Sequence, residues 1–238
     1  MQPTESQSPW LWVPPLYFVQ SIPYAVVMSL SVIMYKDLGI SNSDIAFYTS
    51  LLYLPWVIKP LWSPLIEMFG TKRRWTVLMQ VVCAVALGAM SGVLHMPAFF
   101  TISLAVMWVM ALSSATHDIA ADGFYMLGLR QKDQAAFVGV RSTFYRLGNL
   151  AVQGPLVSLA GEITTASGDP AHGWSVTLFA LAVGFALLVA WHQFILPRPD
   201  TDHAVAKSAN PLKDFVDTFV AFFRKRDFWL IVGFILTY

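Results

Sequence analysis

Apolar residues run through this chain in long blocks separated by short polar turns. A membrane-spanning helix needs roughly 20 mostly apolar residues. Six stretches meet that length, near residues 10–35, 45–66, 75–95, 98–128, 137–160 and 174–196. The third and fourth are separated only by the turn around His95, Met96 and Pro97. Pro14, Pro15 and Pro23 fall inside the first stretch. They would break a soluble helix, but a membrane bundle tolerates them because neighbouring groups re-satisfy the freed carbonyls, so a kinked helix is expected. Tyr17, Ser21, Tyr24, Met28 and Ser31 fall near one face of it. Such a stripe either lines a cavity or packs helices through small residues, and the pattern fits both readings equally.

After Pro197 the pattern changes. Residues 198–227 form a polar linker whose second half, PLKDFVDTFVAFFRKR, sets Phe215, Phe219, Phe222 and Phe223 at helical spacing against Lys213, Asp214, Asp217 and Arg224. This predicts an amphipathic helix, either lying on the membrane face or packed on the bundle as a connector. Residues 228–238 are apolar but too few to cross about 30 Å of hydrocarbon at 1.5 Å per residue. The expected layout is a six-helix transmembrane bundle over 1–197, a linker over 198–227 and the beginning of a seventh span, as in the N-terminal half of a twelve-helix chain.

Composition moves the reading from apolar to membranous. Hydrophobic residues make up 56% of the chain and charged residues 12%, with a mean hydropathy of +0.58, more apolar surface than a soluble core of this size buries. The net charge of +1 is uninformative; its distribution is not. Eleven of the fifteen Lys and Arg residues (72, 73, 74, 130, 132, 198, 207, 213, 224, 225 and 226) fall in alternate loops or the linker, whereas the opposite loops hold Lys36 alone. The positive-inside rule then predicts a cytoplasmic N-terminus. Cys83, the one cysteine, cannot form an internal disulfide and reads as a packed residue. The first apolar run reads as a mature helix, with no basic segment before it and no cleavage-like site after a short apolar core.

The remaining cations, Lys59, Arg141 and Arg146, lie inside spans, and so do two carboxylates, Asp118 and Asp122. An ionisable group in hydrocarbon costs several kcal/mol unless it meets a partner or water, so such residues mark sites or pathways. At i, i+4, Asp118 and Asp122 share one face of the fourth span. An antiparallel hairpin turning near residue 132 sets Asp118 level with Arg146, and Asp122 level with Arg141 and Ser142. Lys59 sits at about the depth of Asp122, and Arg141 can also snorkel to the interface. Ser142, Arg146, Asn149 and Gln153 form a polar stripe that suggests a water-filled cavity. Three roles compete for the network: mutual structural satisfaction, proton exchange at one Asp as its cation moves away, and capture of an anionic substrate group by Lys59 or Arg146.

Enzyme chemistry fits poorly. In SSATHD, consecutive helical residues diverge, so its Ser, His and Asp make no triad, and His117 reads as packed or hydrogen-bonded. Asp118-x-x-x-Asp122 could hold Mg²⁺ at a diphosphate only with a second aspartate-rich cluster, which the sequence lacks, and the CDP-alcohol transferase pattern fails after Asp122-Gly123. No cofactor, metal or nucleic-acid partner is expected.

The segment Ser63–Arg74, with Glu67, Gly70, Lys72, Arg73 and Arg74, resembles the loop 2–3 signature of the major facilitator superfamily, departing from it at Ser63 and Met68. Gly70 suits a tight turn and Glu67 can cap a helix N-terminus, while the basic cluster stays cytoplasmic. SIPYAV in the first span, LPWVIKPLWSPLIE in the second and SSATHDIAADGFYML in the fourth, in that order and spacing, resemble the AmpG-type muropeptide permeases and related acetyl-coenzyme A transporters. The resemblance implies a twelve-span alternating-access transporter in the bacterial inner membrane, monomeric and surrounded by lipid. It further implies proton-coupled import of anhydromuropeptides in cell-wall recycling, or of a siderophore or acyl-CoA-like substrate; a non-transporting sensor on the same fold is the other alternative. Lys59, Asp118 and Asp122 match motif positions and inherit the family's polar core. Tyr17, Ser21, Tyr24, Ser142, Asn149 and Gln153 are expected to line the cavity.

Overall fold

In the computed structural model, which describes residues 7–203, 211–225 and 228–237, every regular element is helical. In chain order these are α1 (Pro9–Ala25), a π-helical turn (Val26–Leu30), α2 (Ser31–Asp37), α3 (Asn42–Leu51), α4 (Leu54–Ile58), a 3₁₀ turn (Lys59–Leu61), α5 (Ser63–Met68), α6 (Lys72–Val93), α7 (Phe99–Gly128), α8 (Gln131–Gln153), α9 (Pro155–Ser167), α10 (Pro170–Ile195), α11 (Pro211–Phe223) and α12 (Phe228–Thr237).

Four helical segments among the described residues are long and apolar enough to cross a membrane: Pro9–Asp37, Lys72–Val93, Phe99–Gly128 and Pro170–Ile195. The second expected stretch, 45–66, is instead broken into α3, α4, the 3₁₀ turn and α5. Pro55, Pro60 and Pro64 each occupy the first turn of a new piece, where a missing N–H costs nothing. The fifth, 137–160, is split at Gly154–Pro155 into α8 and α9 and extends to Ser167; Lys132, Asp133, Arg141 and Arg146 make α8 too polar to count as a span. The first segment runs through its prolines and relaxes into one π turn three residues after Pro23, where Ser31 N–H bonds Val26 carbonyl five residues back.

The bundle packs α6 between α7 and α10, and α1 against α7 and α8. Two apolar cores form: a large one around Trp174, Phe185, Met107 and Leu30, and a smaller one around Trp12, Phe124, Tyr125 and Phe137. Where α1 meets α8 the backbones come close. A Cβ on Gly148 would lie 2.1 Å from Ser21 Oγ and 2.5 Å from the Phe18 carbonyl oxygen, so only glycine fits there. A fully buried polar bridge ties α6, α7 and α10. Gln80 contacts His117 Nε2 through Nε2 and His192 Nδ1 through Oε1, each at 3.0 Å. The amide thus donates to one imidazole and accepts from the other.

At one end of the bundle the ends of α6 and α10 are joined. Gly70, at φ 78°, turns the chain into α6, where Thr71 Oγ1 accepts the Arg74 N–H at 3.2 Å. The Asp202 carboxylate accepts the Lys72 and Arg73 N–H groups at 2.7 and 2.9 Å, capping the positive end of α6. The Arg73 side chain reaches back to the carbonyls of Leu196 and Gln193 at the end of α10. In the linker, residues 204–210 and 226–227, with Lys207 and Arg226, lie outside the described residues. Helix α11 packs against α5, with Phe215 stacked on Phe219 and Phe223 tilted against Phe219; the side chains of Asp214 and Phe222 lie outside the described residues.

Candidate functional site

The polar residues of α1, α7 and α8 converge on one open cavity of about 380 Å³, lined by Tyr17, Gln20, Asp118, Arg141, Ser142, Tyr145 and Arg146. The i, i+4 spacing on α7 points Asp118 and Asp122 the same way, and each carboxylate finds a cation and a neutral donor. Asp118, its side chain 13% exposed, faces Lys59 Nζ at 3.6 Å and accepts from Gln20 Nε2 at 3.0 Å. Asp122 accepts from Arg141 at 2.8 Å and from the Tyr17 hydroxyl at 3.0 Å, both through Oδ1.

These two pairs differ in kind. The Arg141 guanidinium is held on three sides. It bonds Asp122 and lies 4.5 Å from the Tyr17 ring centroid and 4.9 Å from that of Tyr125, two rings that themselves pack edge to face. Lys59 comes from the 3₁₀ turn between two prolyl breaks, and at 3.6 Å its ammonium makes a looser contact on a carboxylate that is more buried than Asp122. Short helical pieces have few internal hydrogen bonds to hold them, so the segment carrying Lys59 depends on its contacts with α7 for its position. Trp62 Nε1 ties it to Thr116 Oγ1 of α7 at 3.2 Å.

The other expected residues distribute as follows. Arg146 lines the cavity, exposed, with no ion pair among the described residues. Ser142 lines it too, its hydroxyl bonded to the Val138 carbonyl. Ser21 is fully buried between α1 and α8 and bonds the Phe18 carbonyl, so it packs helices. Tyr24 stacks edge-on against Trp56. Asn149 Nδ2 bonds the Tyr145 carbonyl, and Gln153 is exposed at the end of α8. Glu67 pairs with Lys72, whose ammonium-bearing chain lies over Gly123 of α7. Arg74 lines a separate cleft of about 340 Å³ with Thr71, Arg73, Arg198 and Asp202. Reading the sequence missed Gln20 and Tyr145. Spacing along α1 does not separate Gln20 from its neighbour Ser21, since each lies three or four residues from both Tyr17 and Tyr24.

Residues 24–211 match the sequence model of the BT1 family, which takes in most of the chain and all of α6, α7, α8 and α10. This chain belongs to the BT1 family. Among its relatives, the anhydromuropeptide permease of Escherichia coli K12 is 28% identical over 235 residues, covering 94% of this chain and 44% of the permease. AmpG 4 of Rickettsia conorii is 26% identical over 185 residues, covering 72% of this chain and 41% of that protein. A protein of Schizosaccharomyces pombe, C21B10.09, is 28% identical over 142 residues. This BT1-family chain spans about half the length of the curated relatives it matches, or somewhat less.

Proposed function

We propose that this chain forms the N-terminal six-helix half of a twelve-helix, AmpG-type secondary transporter that imports anhydromuropeptides across the bacterial inner membrane together with protons. The observation that carries the reading is Asp118: a carboxylate within α7, a helix apolar enough to cross a membrane, in contact with a cavity and held by a lysine at 3.6 Å. Similarity to a permease over 94% of the chain supports the substrate class.

The mechanism follows from charge balance. With Lys59 in place, Asp118 is compensated as a carboxylate. When the segment bearing Lys59 swings away during alternating access, the carboxylate, its side chain only 13% exposed, is left without its cation, a state costly enough that it takes up a proton instead. Return of Lys59 expels that proton, and proton movement is thereby tied to the direction the cavity faces. Asp122, clamped by Arg141 and Tyr17, holds α1, α7 and α8 together and serves as a secondary coupling group. In this proposal the N-terminus is cytoplasmic, and Glu67, Gly70, Lys72, Arg73 and Arg74 make up a cytoplasmic gate opening onto the Asp202 cap. The transporter works as a monomer within lipid.

The test is uptake of labelled anhydromuropeptide into proteoliposomes with and without an inward proton gradient, comparing wild type with Asp118→Asn and Asp122→Asn. Gradient-driven uptake abolished by Asp118→Asn in a folded protein is the expected result. No uptake under any gradient would sink the substrate assignment and turn attention to siderophores and acyl carriers. Uptake indifferent to both substitutions would leave the charges a structural role.

A further inference from the structure

Charges in the cavity do not balance. Lys59 is set against Asp118 and Arg141 against Asp122, which leaves the guanidinium of Arg146, on the cavity wall, with neither an ion pair nor a hydrogen bond among the described residues. A second group is also unmatched. Gln20 gives its amide nitrogen to the Asp118 carboxylate, which fixes the orientation of the amide because a carboxylate can only accept. Its Oε1 is buried and has no partner among the described residues, and Gln20, only 6% exposed, lines this same cavity. An unused acceptor in so buried a position costs free energy until something donates to it.

Building on the transport reading above, we propose that the cavity is a subsite for a single carboxylate, which Arg146 binds, carried on a group whose N–H or O–H donates to Gln20 Oε1. Three cations against two carboxylates leave one surplus positive charge, which a carboxylate neutralises. A phosphomonoester would bring nearly two negative charges and overshoot it. A guanidinium presents paired N–H donors in the geometry of a carboxylate, whereas a lysine offers a point charge. An N-acylated amino acid, as at the end of a peptide, supplies both the carboxylate and the N–H. Arg146 and Gln20 are therefore the residues that select which solutes enter, separately from the carboxylates that carry protons.

The experiment is calorimetric titration of the purified protein with matched probes: N-acetylalanine, N-acetylalaninamide and N-acetyl-N-methylalanine, and beside them an anhydromuropeptide and its carboxamide. Wild type should bind each carboxylate about tenfold to a hundredfold more tightly than its amide. N-methylation should also weaken binding, by about tenfold. Arg146→Gln should erase the preference for carboxylate over amide, and Arg146→Lys should keep part of it; Arg146 is exposed, so both variants keep the fold. Equal binding of acid and amide, a preference that survives Arg146→Gln, or no binding of any probe would overturn the proposal. If the N-acetyl amino acids behave as expected and the anhydromuropeptides do not bind, the substrate assignment fails while this subsite stands.

Discussion

Replacing Gly148 with alanine tests the packing that positions the cavity. The new Cβ would lie 2.5 Å from the Phe18 carbonyl oxygen and 2.1 Å from Ser21 Oγ, where ordinary contact begins near 3.4 Å. Ser21 can rotate away at the loss of its 2.9 Å bond to the Phe18 carbonyl. That carbonyl belongs to the backbone of α1, so the helix itself must retreat by about 0.9 Å, the difference between 3.4 and 2.5 Å. Overpacking of this kind costs about 1–3 kcal/mol, and alanine returns up to about 1 kcal/mol of helix propensity. The net loss should be about 1–2 kcal/mol, a fall of roughly 2–8 °C in melting temperature for a chain of this size. The assay is heating in detergent followed by size-exclusion measurement of the folded fraction. Gly139→Ala is the control: it sits on the same helix, with nothing within 4 Å of the added Cβ, and should be neutral or slightly stabilising. If Gly148→Ala melts with or above Gly139→Ala, the close approach of α1 and α8 is wrong.

Two further substitutions test the rest of the framework by the same melting assay. Asp202→Ala removes both acceptors at the start of α6 and should cost about 1–2 kcal/mol, with Asp202→Asn recovering part of it through its amide oxygen; an unchanged melt for the alanine variant refutes the cap. Gln80→Leu strands two buried imidazoles and should cost about 2–4 kcal/mol. Converting His117 and His192 to leucine as well should restore much of that loss, and a triple variant no better than the single one counts against the bridge.

Apolar length alone located the four long spans, because each is an unbroken run in which no proline or charge outweighs the hydrophobic positions. The stretch around 45–66 is equally apolar, but Pro55, Pro60 and Pro64 recur at intervals shorter than a stable helix, and hydropathy does not register that. Gly154–Pro155 divides the fifth stretch for the same reason. Within the site, spacing along a single helix was informative: Asp118 with Asp122 follows from i, i+4, and counting outward from the turn near residue 132 sets Asp122 level with Arg141, 2.8 Å away. Which face of α1 meets α8 was not legible. Ser21 and Gln20 are adjacent in sequence and both polar, and only the glycine at 148, on a helix more than a hundred residues later, turns Ser21 into the interface and Gln20 toward the cavity. The Gln80 bridge likewise depends on three helices meeting, and no local pattern announces it.

Among the described residues, three side-chain hydrogen bonds join the first membrane segment to α7: Tyr17 with Asp122, Gln20 with Asp118, and Tyr35 with Ser103 at 2.8 Å. As one partner advances from 20 to 35 the other retreats from 118 to 103, so the two helices stay in a single antiparallel register over roughly 22 Å at 1.5 Å per residue. Hydrogen bonds spaced like rungs behave as a ratchet. Slipping by even one residue would break all three at once, with no intermediate position in which any re-forms. A small roll of the pair about its shared axis stretches them little, and tilting the pair as a unit stretches none. This arrangement opposes sliding of the first segment along α7 and lets the two tilt together as one beam.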